Sequence, residues 1–264
     1  MTAAAFDAVA PAYDRIFTQS TIGILQRNQV WSVAREIFHP GDRILELGCG
    51  TGSDAVALPR LGASVVACDA SPQMIAIAKQ RAWEMGHSTH ISFAVCANED
   101  LHKIAVDGEF DGVFSNFASL NCSRDLKAVV AGLAGKVRPG GKLLLCLFGR
   151  FCLWEVAWFL SKGDAKKAFR RFCGSGASAR VGGQEIQVCY PSVRRLKKIF
   201  SPEFSLIGWQ GIGVAVPPSY AESFFHGRPR LLSLLACLDE NLRRMPGARA
   251  MGDHILLEFV RSAS

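Results

Sequence analysis

Short apolar runs alternate with amphipathic stretches through the first half of the chain. The runs have the length of buried strands and span residues 44–47, 63–68, 91–95, 109–115 and 142–148. Amphipathic helices are predicted over 22–38 and 126–137. A further helix should begin at Ser71-Pro72, since serine caps a helix N-terminus and proline suits its first turn. Strands that alternate with helices predict a parallel sheet with right-handed crossovers.

The second half of the chain has a less regular pattern. Residues 143–160 are almost all apolar, but Gly149, Arg150 and Glu155 interrupt them, which favours a strand and a helix over a membrane span. The aromatic residues of this helix form either core packing or a wall over an apolar acceptor (Phe151, Trp154, Trp158 and Phe159). Residues 174–178 read as a flexible connection, and residues 179–190 as a hairpin that turns near Gly182.

Three alternating glycines separate the first strand from a helix predicted to begin near Ser53. Gly48, Gly50 and Gly52 leave bare backbone there, beside the unpaired N–H groups of a helix N-terminus. Glu46 lies inside the strand and needs a partner, because an unpaired buried carboxylate is costly. Asp69 ends the second strand, where an acid can accept hydrogen bonds from a ribose. This spacing fits either a dinucleotide or S-adenosylmethionine.

The glycine turn more closely resembles motif I of the class I S-adenosylmethionine-dependent methyltransferases, Glu/Asp-x-Gly-x-Gly-x-Gly. In the dinucleotide fingerprint the third glycine comes one residue later, where this chain has Ser53. The resemblance implies an α/β fold with a doubly wound, Rossmann-like, seven-stranded and mostly parallel sheet. It also implies a terminal antiparallel strand pair, over 204–216 and 253–260, and a helical lid. We expect a cofactor-binding core at 1–149, an acceptor-side lid with the sixth strand at 150–250, and the last strand at 251–264.

The N-terminal segment Phe-Asp-x-x-Ala-x-x-Tyr-Asp, ending at Asp14, is similar to that of small-molecule methyltransferases, including the quinone-biosynthesis type. In that family the tyrosine, here Tyr13, closes over the cofactor. Ala97 stands where the family often has an adenine-binding aspartate, so adenine recognition would fall to backbone groups, Asn98 or Glu99. The segment after the fourth strand is not Asn-Pro-Pro-Tyr, the signature of methyltransferases that act on nucleic-acid bases or glutamine. The resemblance implies a cofactor site built from Tyr13, Glu46, Gly48, Cys49, Gly50, Asp69, Ala70, Met74, Asn98, Glu99 and Asn116.

Composition and charge narrow the class further. The 264 residues carry a net charge of +7 and are 49% hydrophobic, which excludes a disordered chain. The nine cysteines form no C-x-x-C pair, and no leader precedes them, so we expect reduced thiols, no metal site and a cytoplasmic protein. Residues 161–200 hold ten basic side chains against two acidic ones. Such a run is either a solvated helix face or a patch for anionic lipid, an acidic substrate or RNA.

These features predict methyl transfer from S-adenosylmethionine to a small, apolar or amphipathic molecule. One alternative is an RNA or protein methyltransferase that uses the basic segment 161–200, and another is a non-catalytic cofactor-binding protein. Because no aromatic-interleaved basic motif is present, no nucleic-acid partner is expected. No stable protein partner is expected either, and contact with a membrane surface stays open. No catalytic base is assigned; the ionisable candidates of the lid are Tyr220, Glu222 and His226.

Overall fold

A seven-stranded sheet forms the centre of the protein. The computed structural model describes residues 2–105, 108–173 and 176–263. In chain order the strands are β1 (Arg43–Leu47), β2 (Ser64–Asp69), β3 (Ile91–Val95), β4 (Phe110–Ser115), β5 (Val137–Phe148), β6 (Ala177–Val181), β7 (Gln184–Val188), β8 (Phe204–Ile212) and β9 (His254–Arg261). The sheet order is β3-β2-β1-β4-β5-β9-β8, and β6 and β7 form a separate hairpin. Strands β1 to β5 are parallel, whereas β9 pairs antiparallel with both β5 and β8. The predicted fold class is confirmed.

Helices cover both faces of this sheet. They are α1 (Thr2–Tyr13), α2 (Thr21–Ile37), α3 (Pro72–Glu84), α4 (Leu126–Ala134), α5 (Leu153–Ser161), α6 (Ala165–Ala168), α7 (Val193–Phe200), α8 (Glu222–Phe225) and α9 (Pro229–Leu242). A π-helical turn, Asp14–Thr18, continues α1. Alternate residues of β1 serve opposite cores: Leu45 packs with α4 and α7, and Ile44 packs with α2. Within the described ranges, no helix is both long and apolar enough to cross a membrane.

The helix expected near Ser53 is the main error in the predicted elements. Residues 51–57 form successive turns, and only a short 3-10 helix, Leu58–Leu61, follows them. Pro59 accounts for this difference, because it has no N–H to donate to the carbonyl of Ala55 and so cannot continue an α-helical ladder. Gly52, at φ +78°, is also outside helical geometry.

Other predicted boundaries shift for equally local reasons. The helix predicted over 126–137 stops at Ala134 because Val137 already pairs with Phe110 in the sheet. The helical stretch that follows Pro218 is broken between α8 and α9, where Gly227 takes a φ of +78° and Pro229 begins α9. Of the predicted connection 174–178, residues 174 and 175 lie outside the described ranges, and β6 begins at Ala177. The division into a core at 1–149, a lid at 150–250 and a last strand at 251–264 stays a prediction.

Candidate cofactor and acceptor site

A cavity of about 720 Å³ opens at the carboxyl ends of the parallel strands. This is the edge at which doubly wound sheets bind ligands. Ten of the eleven residues predicted for the cofactor line this cavity: Tyr13, Gly48, Cys49, Gly50, Asp69, Ala70, Met74, Asn98, Glu99 and Asn116. The eleventh, Glu46, is not part of the cavity wall. The structure therefore brings together residues that lie up to about a hundred positions apart in the chain.

The three motif glycines meet different surroundings. A Cβ added to Gly48 would lie 1.8 Å from Ser119 Oγ, so this glycine lets the segment after β4 pack against the turn. A Cβ on Gly52 would lie 2.7 Å from the Ala78 Cβ on α3. A Cβ added to Gly50, by contrast, would have no atom within 4 Å, and this residue lines the cavity at φ +53°. Of the three, Gly50 is the one that leaves room for a ligand.

Asp69 closes the turn from the end of β2. Its Oδ2 accepts a hydrogen bond from Gly50 N at 3.0 Å, and its Oδ1 accepts one from Ser71 N at 2.8 Å. Burial raises the pKa of this carboxyl group, and the two backbone N–H groups oppose that rise. Each carboxylate oxygen has a second lone pair. Asp69 can therefore hold the turn in place and still accept hydrogen bonds from ligand hydroxyls.

The opposite wall of this end of the cavity comes from α3 and the loop after β3. The buried Met74 lies in the first turn of α3, where Ser71 Oγ accepts from its N–H. Asn98 Nδ2 donates to Ser119 Oγ at 3.0 Å and to Ser123 Oγ at 3.2 Å. Glu99 Oε1 accepts from Arg124 N at 2.6 Å. Both loop side chains thus tie together the segments that bound the cavity.

Glu46 lies behind the cavity on β1. It is 2% exposed, and its Oε2 has no hydrogen-bond partner among the described residues. Burial and the nearby charge of Asp54 raise its pKa well above the usual value. The sequence predicts a partner for this buried carboxylate. None of the described side chains supplies a hydrogen bond to its Oε2.

A buried polar cluster that the sequence did not indicate stands beside Asn116. Asp54 accepts from Trp31 Nε1 at 2.7 Å and from Asn116 Nδ2 at 3.0 Å, and it forms a close ion pair with Arg27. Burial lowers the pKa of Arg27, but Asp54 more than compensates. Arg27 also lies over the ring of Phe117, 4.7 Å from its centroid. An amphipathic pattern alone gives no sign that this arginine of α2 faces a cavity.

The N-terminal arm covers the cavity. Asp7 accepts from Ser71 Oγ and Gln73 N at the start of α3, and Asp14 accepts from Thr51 Oγ1. These contacts hold Tyr13 on the cavity wall, where burial raises its pKa to about 12. The acids of the N-terminal motif therefore anchor the arm.

Beyond the glycine turn the cavity continues into a mostly apolar chamber, which we call the acceptor chamber. Its walls come from the arm, the ends of β4, β5 and β9, and the β6–β7 hairpin: Phe6, Phe17, Phe117, Phe148, Ala179, Val181, Ile186, Val188, Tyr190 and His254. Of the two possibilities for the aromatic residues of the α5 segment, the wall over an acceptor is wrong, because none of them lines the cavity. Trp154 packs near Phe225, and Trp158 packs near Tyr220 and Phe224. The two tryptophans therefore belong to core packing, the other possibility.

His254 stands at the base of the acceptor chamber. It is 1% exposed, stacks on Phe148 with ring centroids 4.6 Å apart, and meets the edge of Phe117 at 5.4 Å. Neither ring nitrogen has a hydrogen-bond partner among the described residues. Burial lowers its pKa to about 4, although Asp253 acts in the opposite direction. The sequence reasoning missed this residue, yet a histidine that opens an antiparallel last strand must lie at the carboxyl edge of its parallel neighbour.

An ion-pair network closes the chamber on the side of the basic segment. Arg171 is 4% exposed and pairs with Glu155 at 2.8 Å and with Asp253 at 2.6 Å. Arg170 donates to both oxygens of Glu155. Two of the ten basic residues are therefore engaged in the cavity wall, and Glu155 and Asp253 are carboxylates that the charge count over 161–200 did not include.

The three candidate bases of the predicted lid do not reach the cavity wall. Glu222 accepts from Thr21 N at 2.8 Å and Ile22 N at 3.0 Å, so it caps α2. Tyr220 packs on Trp158 and Phe159. His226 is exposed. Among the described residues, no group of three or more His, Cys, Asp or Glu side chains is placed to hold a metal ion.

Comparisons with known proteins agree with this geometry. Residues 44–141 match a family model described as a methyltransferase domain. The chain is 32% identical over 221 residues to a demethylmenaquinone methyltransferase of Thermobifida fusca, covering 81% of this chain and 90% of the relative. It is 34% identical over 118 residues to a ubiquinone biosynthesis O-methyltransferase of Xanthomonas campestris pv. campestris, covering 45% of this chain and 48% of that protein.

Solved structures of methyltransferases have the same fold as this chain. A crystal structure from Listeria monocytogenes, assigned to the S-adenosylmethionine-dependent methyltransferases, superimposes with a TM-score of 0.61 at 17% identity and covers 90% of this chain and 99% of that one. At this identity the structural match shows only that the fold is shared, whereas the sequence relatives show the family. The chain belongs to the class I S-adenosylmethionine-dependent methyltransferases, in the family that includes the demethylmenaquinone methyltransferases.

Proposed function

We propose that the methyl acceptor is a planar, hydroxylated aromatic ring of the quinone-precursor kind that carries an apolar substituent. The observation behind this proposal is the continuity of the cavity. One end has the open backbone of Gly50 and the carboxylate of Asp69, and the other end is the acceptor chamber, with Phe148 and Ile186 in its walls. The names of the two sequence relatives, which concern menaquinone and ubiquinone, support the same class of acceptor.

The residues at the glycine turn fit S-adenosylmethionine. The space at Gly50 is one that a Cβ would fill, and Asp69 presents acceptor oxygens where a ribose would lie. We propose that Met74 packs on the adenine and that Asn98 borders it. When bound, S-adenosylmethionine supplies an electrophilic methyl group on a sulfonium that is its own leaving group.

The protein contributes to methyl transfer by orienting the two reactants and by excluding water from the cavity. Tyr13 and Phe17 on the arm, with ring centroids 5.7 Å apart, cover the cavity and keep water from it. Asn116 follows β4, lines the cavity and is held there by its hydrogen bond to Asp54. Holding both reactants in one geometry converts a bimolecular step into an effectively unimolecular one. No covalent chemistry by the protein is needed.

The acceptor chamber favours a small molecule over RNA. Arg170 and Arg171 point into ion pairs with Glu155 and Asp253, so their charge is neutralised inside the protein. The remaining walls are aromatic and aliphatic. A phosphate backbone would find little to bind in such a chamber.

An acceptor panel tests this proposal. Purified protein and S-adenosylmethionine are incubated with an alkylated dihydroxynaphthalene, an alkylated catechol, a saturated alcohol of similar size, or transfer RNA, and S-adenosylhomocysteine release is measured. We expect turnover with the two hydroxylated aromatic compounds only. Turnover with RNA, or with none of the four, would contradict the proposal.

A pair of variants on β6 locates the acceptor. Ala179 lines the acceptor chamber, whereas its neighbour Ser178 lies on the other face of the strand and is exposed. Ala179→Trp should fill the chamber and raise the acceptor KM at least tenfold, with the cofactor Kd unchanged. Ser178→Trp, the matched control, should change neither constant. Equal effects of the two substitutions would mean that the acceptor lies elsewhere.

A further inference from the structure

The buried histidine of β9 stands where the proposed acceptor must carry its hydroxyl. The glycine turn confines the cofactor to one end of the cavity, and His254 lies on the wall of the acceptor chamber at the other. Its ring neighbours in this wall are Phe148, on which it stacks, and Phe117, whose edge it meets. An aromatic acceptor in this part of the chamber would lie beside these rings and close to the imidazole.

The hydrogen bonding of His254 is incomplete in a way that points to a ligand. Buried polar atoms are almost always hydrogen-bonded, yet both ring nitrogens lack a partner among the described residues. Nδ1 lies 3.5 Å from Asp253 Oδ2, and Asp253 is in turn held by Arg171. Because Nδ1 is turned toward Asp253, Nε2 is the ring nitrogen that is left to receive a proton.

We propose that His254 is the catalytic base that accepts the proton of the acceptor's ring hydroxyl. The inference rests on the proposed function. Nε2 takes the hydroxyl proton, and the electron pair of that O–H bond stays on the acceptor. The acceptor oxygen, or the ring carbon that it activates, forms the new bond to the methyl carbon. When the ring carbon is methylated, its own proton is then lost and the oxygen regains one, which restores the aromatic ring. The carbon–sulfur bond breaks, its electrons remain on sulfur, and the imidazolium later releases the proton to solvent.

Two charged side chains act on His254 in opposite directions. Asp253 favours the imidazolium, whereas Arg171, which is itself paired with Asp253 and Glu155, disfavours it. Because a neutral imidazole accepts the proton while the sulfonium loses its charge, one positive charge moves across the cavity and the total charge stays the same. Asp253 lies close enough to stabilise the imidazolium that results.

Substitution of His254 tests the proposal. His254→Asn and His254→Gln should lower kcat by roughly 10²- to 10⁴-fold, the usual contribution of a general base, and leave the cofactor Kd unchanged. His226→Asn removes an exposed histidine outside the cavity wall and serves as the matched control, with wild-type kcat expected. Wild-type turnover by both His254 variants would overturn the inference while leaving the proposed function intact. Absence of turnover by the wild-type enzyme with every hydroxylated aromatic compound would contradict both.

Two further readouts separate a base from a structural residue. In the His254 variants the rate should rise with pH as the acceptor ionises by itself, and a nitrocatechol, whose hydroxyl is already ionised, should lose little rate. A uniform loss at all pH values and with both catechols would overturn the inference. Should both variants fail to fold, ¹⁵N-histidine NMR of the wild-type protein decides: alkylated catechol added with S-adenosylhomocysteine should shift the His254 nitrogen signals, and unchanged signals would overturn the inference.

Discussion

At the scale of single residues, the glycine turn shows how one motif combines packing and binding. Ser119 and Ala78 leave no room for a side chain at Gly48 and Gly52, whereas a side chain at Gly50 would enter open space. All three have positive φ angles. A side chain at Gly48 or Gly52 would therefore disturb the fold, while a side chain at Gly50 would occupy the space that we propose for the cofactor.

Gly50→Ala should separate binding from stability. The left-handed backbone costs an alanine about 1–2 kcal/mol of stability, but no atom blocks its Cβ. Cofactor affinity should fall at least tenfold, because the methyl group points into the cavity. Gly41→Ala, at φ +91° and with no atom within 4 Å of the added Cβ, carries a similar backbone cost outside the cavity wall. Thermal unfolding and cofactor titration of both variants check this; equal affinities would contradict it.

His254 should also affect how the free energy of unfolding depends on pH. Its pKa is about 4 in the folded protein and about 6.5 in the unfolded chain. Above pH 6.5 both states are neutral there. As the pH falls from about 6.5 to 4, the unfolded chain binds a proton that the folded protein does not, so folding loses stability.

Relative to His254→Asn, the wild-type free energy of unfolding should fall by about 3 kcal/mol over that interval. Other buried acids, including Glu46 and Asp69, have raised pKa values in both proteins, so the difference between the two isolates the histidine. Urea unfolding at a series of pH values measures it. Parallel curves for the two proteins would refute the assignment.

At the scale of elements, two pieces from distant parts of the chain cover the cavity together. The arm α1 meets the β6–β7 hairpin at the turn, where a Cβ on Gly182 would lie 2.5 Å from Ala5 O and 2.8 Å from Ala8 Cβ. The next residue, Gly183, also has a positive φ, but a Cβ added to it would have no atom within 4 Å. The contact between arm and hairpin thus depends on one glycine of an adjacent pair.

Gly182→Ala should push the hairpin away from the arm and loosen the acceptor chamber. We expect a several-fold higher acceptor KM and faster amide hydrogen exchange in α1, since its packing partner moves. Gly183→Ala shares the backbone cost without the collision and should leave both quantities close to wild type. Protection of α1 that is identical in the two variants would show that the hairpin does not support the arm.

Much of the element pattern could be predicted from the sequence, because apolar runs and caps are local signals. Ser71 caps α3 as its position before Pro72 indicated. The glycine spacing predicts a helix directly after the turn, and that prediction is wrong because Pro59 removes one N–H in the middle of an otherwise helical pattern. Long-range contacts are hidden in the same way: Glu222 caps α2 from two hundred positions away.

The candidate site divides along the same line. That Gly50 and Asp69 lie together on one cavity wall could be predicted, because Gly50 follows the end of one parallel strand and Asp69 ends the next. The acceptor side could not, because His254 and Arg171 reach the chamber only through the antiparallel pairing of β9 and the path of the second half. No local spacing encodes those contacts.

At the scale of the whole molecule, a buried ion-pair network joins the second half of the chain to the sheet. Arg171 lies between Glu155 on α5 and Asp253 just before β9, and it also donates to the carbonyl oxygens of Gly149 and Asp253. Burial alone would lower the pKa of Arg171, but the two carboxylates raise it by more than burial lowers it. The pKa is therefore above its usual value, and the guanidinium stays charged. Removing one partner would leave that buried charge poorly compensated.

Glu155→Ala should therefore lower the free energy of unfolding by about 3–5 kcal/mol. Glu36→Ala is the control, since Glu36 lies 4.0 Å from Arg244 in an exposed pair whose contribution should be at most about 1 kcal/mol. Urea denaturation of both variants measures the difference. Similar losses would show that the network does not hold the second half of the chain to the sheet.

The most direct test of the whole account is a calorimetric titration with S-adenosylmethionine and S-adenosylhomocysteine. We expect both to bind one site per chain in the micromolar range. Asp69→Ala should weaken binding about tenfold or more, since hydrogen bonds to a charged group contribute roughly 1.5–3 kcal/mol each. Asp42→Ala, which alters a carboxylate outside the cavity wall in the turn before β1, should bind as the wild type does. No binding of either compound, or equal affinity in the Asp69 variant, would contradict the assignment of this cavity to the cofactor.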